Sequence, residues 1–405
     1  MAAQRRKKMA KKTLRNFYVV VFSYSLFFSF MVTTYVPFLA KNGLNKFQIS
    51  GLNAVFMLLV FLLEIPTGTF ADTLGRKKSS LISLLLLSAS CFVYYLSSTF
   101  LLFLVAEVIS ALALSFNSGA LEAWLVDTLK HHNYEGDLKK VFSQESIIRN
   151  IACIIGGLSG AYVGKTNLAM PWLICSLGLL FTFFLSQKLL REEYFVVKKL
   201  NGFREKTSHF NSLVKDSVNY GFRNKNIFWL ICLSAGLTLG VQPFNMFWTL
   251  KLKQHFDQGV LGWMWVFISL MIMLGSFSGQ KLSTKITKQK YVLFIELLVT
   301  ATSFLACVVF FNHVGWLILF CGLQESGRGG FDPIKRAYFN KRIPSDKRAT
   351  IISFDSMIQH LGAFVGLLIG GWIANKFSIR ASWVFSGLVI FFISFLCLKL
   401  NGDKK

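Results

Sequence analysis

Glu107, Arg149, Glu296, Glu325 and Arg328 stand inside apolar runs about 20 residues long. A charge at the centre of a bilayer costs about 2.5–3.5 kcal/mol or more, so such residues turn towards one another or a wet cavity. Their chemistry is therefore solute binding, proton binding or mutual neutralisation. Glu325 and Arg328 are three apart and share a helix face, which suits either a structural pair or a solute contact. Glu107 has no partner close in the sequence, the situation of a proton carrier, with Arg149 on a neighbouring span as the alternative compensation. Glu296 lies within two turns of a span end and is placed to snorkel to the interface.

A second constellation is polar and compact. Gly68-Thr-Phe-Ala-Asp72-Thr-Leu-Gly75-Arg76-Lys77-Lys78 joins two apolar runs. Glycine permits a tight turn and close backbone approach, and a carboxylate can neutralise the positive end of a neighbouring helix. Four more acids, Glu122, Glu145, Asp332 and Asp355, fall near span ends. Glu145 and Asp355, at the amino-terminal ends of their spans, are placed to stabilise a helix dipole, and all four are candidates for inner-gate salt bridges with Arg336, Arg342 or Arg348. Phe116, Asn117 and Ser118, with Gln242, Asn245 and Trp248, would line an amphiphilic pocket. His132-Asn-Tyr-Glu-Gly-Asp137 has the His-x4-Asp spacing that activates a hydroxyl in acyltransferases, but it stands without companion blocks. No cofactor or metal site is expected, since the seven cysteines are scattered through apolar runs without a Cys-x-x-Cys pair or a histidine cluster.

These residues need a membrane scaffold to position them. The chain has 405 residues, 54% of them hydrophobic, and its apolar residues come in long runs. Twelve runs read as helices, at about 16–38, 48–70, 79–97, 100–121, 142–164, 169–189, 225–250, 259–280, 291–311, 314–333, 350–375 and 379–399. The net charge of +25 is spread over short connections, so nucleic acid is not the expected partner. With a cytoplasmic amino terminus the inner segments hold 35 of the 44 Lys and Arg and the outer ones seven, which places both termini inside. Trp124, Trp248, Trp263, Trp265 and Trp372 sit near span ends, as an interfacial belt requires.

Residues 191–224 form the longest polar connection, with bases and aromatics at loosely helical spacing that suit an inner membrane surface. They divide the chain into 1–190, 191–224 and 225–405. The halves repeat: Gly119-x-x-Glu122 returns as Gly329-x-x-Asp332. Glu145-Ser146-x-Ile148 with Gly156-x-x-x-Gly160 returns as Asp355-Ser356-x-Ile358 with Gly366-x-x-x-Gly370. Each displacement is 210 positions, the mark of an internal repeat.

The Gly68–Lys78 stretch, one complete span after the first, resembles the loop between the second and third helices of the major facilitator superfamily of secondary transporters. The resemblance covers nearly the whole chain through span count, halves and this signature. It implies an all-α membrane protein of about twelve transmembrane helices in two pseudo-repeated six-helix bundles, monomeric, in a bacterial cytoplasmic membrane. It further implies that Asp72 meets the start of the eleventh span and Arg76 pairs with Asp127 when the inner side is shut, and that the fourth and tenth spans line the cavity. Among relatives, drug-proton antiporters have an arginine in the fourth span where Glu107 stands here. They carry Gly-Pro before Gly-Gly in the fifth span, where this chain has Ala152-Cys153 before Gly156-Gly157. The expected function is proton-coupled export of a small, amphiphilic solute, with nutrient or metal-chelate uptake as the rival reading. A membrane-embedded acyltransferase and a non-transporting receptor are the readings of another class.

Overall fold

A computed structural model describes residues 2–117, 119–192, 224–343 and 348–400, and their side chains except at 2–7, 65–66, 68–69, 71–74, 340–341 and 348–350. Among the described residues all regular structure is helical. The first half comprises α1 (Ala2–Ser29), α2 (Tyr35–Lys41), α3 (Lys46–Leu74), α4 (Arg76–Leu96), α5 (Phe100–Asn117), α6 (Ala120–His131), α7 (Leu138–Thr166) and α8 (Met170–Leu189). The second comprises α9 (Lys225–Leu252), α10 (Gln258–Lys285), α11 (Gln289–Val309), α12 (Val314–Arg342), α13 (Arg348–Lys376) and α14 (Ile379–Ser394), followed by a 3-10 turn at Phe395–Lys399.

Ten of these segments are long and apolar enough to cross a membrane; α1 and α12 are equally long, but their charges keep them out of that count. The fold is the all-α membrane architecture read from the apolar runs. Two spans differ from a simple rod. The first is α1 and α2 joined by a turn, and the fourth is interrupted at Gly119, which takes φ +66° just before α6 begins.

The chain forms two compact units. One comprises Met1–Asn42, Leu62–Asn201 and Asp257–Trp265; the other comprises Gly43–Phe61, Gly202–Phe256 and Val266–Lys405. Within the first, α1 packs on α7 and α8, and α4 on α5 and α8. Within the second, α9 packs on α13 and α14, and α11 on α12 and α14. The pairs correspond one to one under the sequence repeat. The repeated glycines explain why: a Cβ on Gly156 or Gly160 would collide with the carbonyl of Leu26 or Phe30 on the first span. On Gly366 or Gly370 it would collide with the Leu239 carbonyl or the Pro243 ring on the seventh. Small residues at four-residue spacing let helix backbones approach in a membrane, where packing rather than water drives association.

Candidate functional site

The second unit holds a cavity of about 540 Å³. Leu237, Val241, Ile272 and Phe331 give it an apolar wall, while Gln242, Asn245, Glu325, Arg328, Lys335 and Gln359 give it a polar one. Arg328 Nη1 donates to Glu325 Oε1 at 2.7 Å and to Asn245 Oδ1 at 3.1 Å, and Gln324 Nε2 donates to the same glutamate oxygen at 2.9 Å. Of the expected pocket residues this brings together Gln242 and Asn245 with Glu325 and Arg328. Trp248 is not on the wall but buried in the helix bundle, since a side chain six residues after Gln242 points to another face. Phe116 and Asn117 line no part of this cavity either. The Phe116 ring meets Phe70 edge-on, its carbonyl accepts from Ser79, and Asn117 lies beside Tyr24; Ser118 falls outside the described residues.

Glu107 has partners that no spacing announced. It accepts from Tyr35 at 2.6 Å and Tyr94 at 2.5 Å, in a cage where Tyr94 stacks on Trp172 and Phe38 meets Phe103 edge-on. The two phenols offset part of the cost of an acid in the span, and among the described residues no cation helps them. Arg149 does not compensate it. Its Nε donates to Glu145 at 2.7 Å, its Nη2 also reaches that carboxylate, and Glu122 stands 3.8 Å away.

In the second half Lys335 plays the corresponding part, 3.2 Å from Asp355 and 3.7 Å from Asp332, with Gln359 donating to Asp355 at 2.8 Å. Gln359 is the repeat equivalent of Arg149. Among the described residues, the ion pairs of these four acids therefore close within each half rather than on Arg336 or Arg342; the Arg348 side chain lies outside the described residues. Arg342 instead lies 3.6 Å over the Tyr338 ring. Glu145 and Asp355 are each the eighth residue of their helices, beyond the first turn where a dipole acts, which overturns their reading as dipole stabilisers. The amino-terminal cap of α7 is Asp137, which accepts from the Lys139 amide at 2.9 Å, so the His132-x4-Asp137 spacing marks a helix boundary.

Around the signature loop, Gly75 takes φ +103° at the start of α4, and Arg76 Nε reaches Asp127 Oδ2 at 3.2 Å. The side chains of Gly68 and Asp72 lie outside the described residues. Lys77 Nζ donates to the Gln187 carbonyl at 3.0 Å. A carboxylate absent from the sequence reading completes the group: Glu192 accepts from the amides of Arg76 at 2.8 Å and Lys77 at 3.3 Å, an anion on a helix amino terminus. Its signal was the Arg191-Glu192 step directly after the sixth span. Glu64, a further acid within an apolar run, is likewise visible in sequence and belongs with the intramembrane charges. Glu296 does not snorkel. It is buried, with its carboxyl lying against the backbones of Gly279 and Gly330, which leave room where a Cβ would stand. Trp124 is buried too, and its Nε1 donates to the Arg191 carbonyl.

The first turns of α10 belong to the first unit and are fastened within it. Lys165 pairs with Asp257 at 2.9 Å, Gln258 donates to the Thr33 carbonyl at 2.9 Å, and Trp263 and Trp265 donate to Tyr162 and the Cys153 carbonyl. Lys165 and the Val260 amide hold the Asp257 carboxyl below the usual carboxylate range.

The sequence model of the Major Facilitator Superfamily matches residues 17–288 and 228–404. The chain belongs to this superfamily. It is therefore a multi-pass membrane transporter and not an enzyme, which retires the acyltransferase reading. An uncharacterized MFS-type transporter of Bacillus subtilis (strain 168), YxaM, is 21% identical over 379 residues, 86% of each chain. The nucleoside transporter NupG has a similar fold, with a TM-score of 0.77 at 13% identity over 97% of this chain and 100% of that one. A POT family transporter in complex with a thioalcohol-conjugated peptide gives 0.75 at 12% identity over 95% of both. This superfamily member carries its polar pocket on α9, α10, α12 and α13.

Proposed function

We propose that the chain is a proton-coupled secondary transporter that exports a small amphiphilic solute by alternating access, with the 540 Å³ cavity as the solute site and Glu107 as the proton carrier. The observation that carries this reading is the cavity itself: an apolar wall faces an Arg328–Glu325–Asn245 cluster, a lining that suits a solute with an apolar body and one polar group. Glu107 supports the coupling role because it is a lone carboxyl, held by two neutral donors and by no cation among the described residues. Halves 1–190 and 225–405, joined by 191–224, are the rocking bodies, with Gly68, Asp72, Gly75, Arg76, Lys77 and Asp127 latching the inner side. The excess of Lys and Arg on the segments assigned inside favours cytoplasmic termini, and the protein acts as a monomer in a bacterial cytoplasmic membrane.

Uptake of a nutrient is the second reading; that a nucleoside transporter and a peptide-bound POT family transporter share this fold favours a nutrient as the solute. Vesicles reconstituted with the protein and given a pH gradient of either sign separate the two. Export coupling predicts solute movement against the proton flow, uptake predicts movement with it, and flux indifferent to the gradient would overturn proton coupling. Val241→Trp, which fills the cavity, should stop flux; full flux in that variant would overturn the cavity as the solute site.

A further inference from the structure

Building on the cavity reading above, we infer that the solute is an organic acid whose carboxylate-class anion docks on Arg328. Arg328 and Glu325 form an ion pair, but the two ions do not face the cavity equally. The Glu325 side chain is 4% exposed and its Oε2 is shut off from the cavity, while Arg328 keeps 27% of its side chain exposed. A solute therefore meets the base and not the acid.

A guanidinium has five N–H donors in a rigid fork. The two on Nη1 are committed to Glu325 and Asn245, and those on Nε and Nη2 have no partner among the described residues. That unused edge matches the two oxygens of a carboxylate, and a bidentate pair of this kind is both stronger and more directional than a lysine contact. Gln242, one turn before Asn245 on the same face of α9, brings an amide into the same cavity. Lys335 is taken by Asp355 and Asp332, so Arg328 and the exposed Arg336 are the cavity's available cations, against the single exposed acid Asp332. Glu325 and Asn245 hold the fork in place, and Leu237, Val241 and Phe331 receive the apolar body.

The test uses the full-length protein in detergent and four probes that share one apolar body: 4-phenylbutanoate, its amide, 4-phenylbutylammonium and 4-phenylbutylphosphonate. Binding is read by calorimetry and by ligand-induced stabilisation. The carboxylate should bind at least tenfold more tightly than the amide and the ammonium, and the phosphonate arm shows whether the fork prefers planar or tetrahedral anions. Arg328→Gln should weaken carboxylate binding tenfold or more, and Arg328→Lys, which keeps the charge and loses the fork, should fall between. Equal binding of the three uncharged, cationic and carboxylate probes, binding of the ammonium alone, binding of none, or an unchanged affinity in Arg328→Gln would overturn the assignment. If Val241→Trp removes binding while Arg328→Gln does not, the cavity stands and the solute class falls. If Val241→Trp leaves binding intact, the cavity reading itself fails.

Discussion

The two halves keep the same packing and handle their mid-span charges in opposite ways. In the first, Glu107 is sealed behind Tyr35, Tyr94 and Trp172. In the second, Arg328 is held at the edge of a 540 Å³ cavity with Glu325 behind it. The repeat equivalent of Glu107 is the buried Leu317, and that of Glu325 is the buried Ser115. Gly156 and Gly366, by contrast, meet neighbouring carbonyls in the same manner. The repeat keeps what the helices need in order to pack, while the charges differ: the acid of the first half is enclosed by aromatic rings and the base of the second faces a cavity.

The common part breaks most severely. Gly156→Leu and Gly366→Leu each drive a side chain into backbone, so each should lose about 3 kcal/mol or more and show a sharply lower melting temperature in detergent. Gly51→Ala, with nothing within 4 Å, should be neutral. An unaffected Gly366→Leu would deny the shared packing.

Next in size is the inner cluster, where the halves differ in burial. Lys335→Met leaves Asp355 as a buried charge with no cation beside it and should cost about 3–5 kcal/mol. Arg149→Met should cost less, about 1–3 kcal/mol, because the half-exposed Arg149 leaves a site that water can enter, so water replaces part of what it gives the buried Glu145 and the half-exposed Glu122. Equal losses in chemical denaturation would erase the distinction.

Much of this was legible in the sequence, and the remainder failed for identifiable reasons. Apolar runs located the spans, the 210-residue displacement located the paired glycines, and the signature's resemblance brought Arg76 to Asp127. Partners on other helices carry no periodic mark: Tyr35 and Tyr94 reach Glu107 from α2 and α4, and Gly279 and Gly330 shelter Glu296 from α10 and α12. Apolar runs do not fix a span's end to within a turn, and α7 starts at Leu138, which moves Glu145 out of the first turn that the run at 142–164 gives it. Trp124 and Trp248 sit near span ends, yet hydropathy cannot tell an interfacial ring from a packed one.

The smallest effect concerns the contact between α10 and α7. The Asp257 carboxyl is held below its usual range by Lys165, so the pair's contribution is complete above the ordinary aspartate range and fades as pH falls through the lowered value. Cysteines placed at Tyr162 and Gly259 and bridged by a short bifunctional thiol reagent, since a Cβ at 259 would stand against the edge of the Tyr162 ring, should cross-link equally from neutral pH down to about pH 5 and less readily in stronger acid, with the acid dependence absent in Asp257→Asn. Cross-linking that weakens already near neutral pH would contradict the sign.

The division of labour between the halves is tested most directly by comparing Glu107→Gln and Arg328→Gln in one reconstituted vesicle preparation, with solute exchange at equal pH measured beside flux driven by a pH gradient. The account predicts that Arg328→Gln abolishes both, whereas Glu107→Gln keeps exchange and loses only the drive. Gradient-driven flux surviving in Glu107→Gln, or exchange surviving in Arg328→Gln, would contradict it.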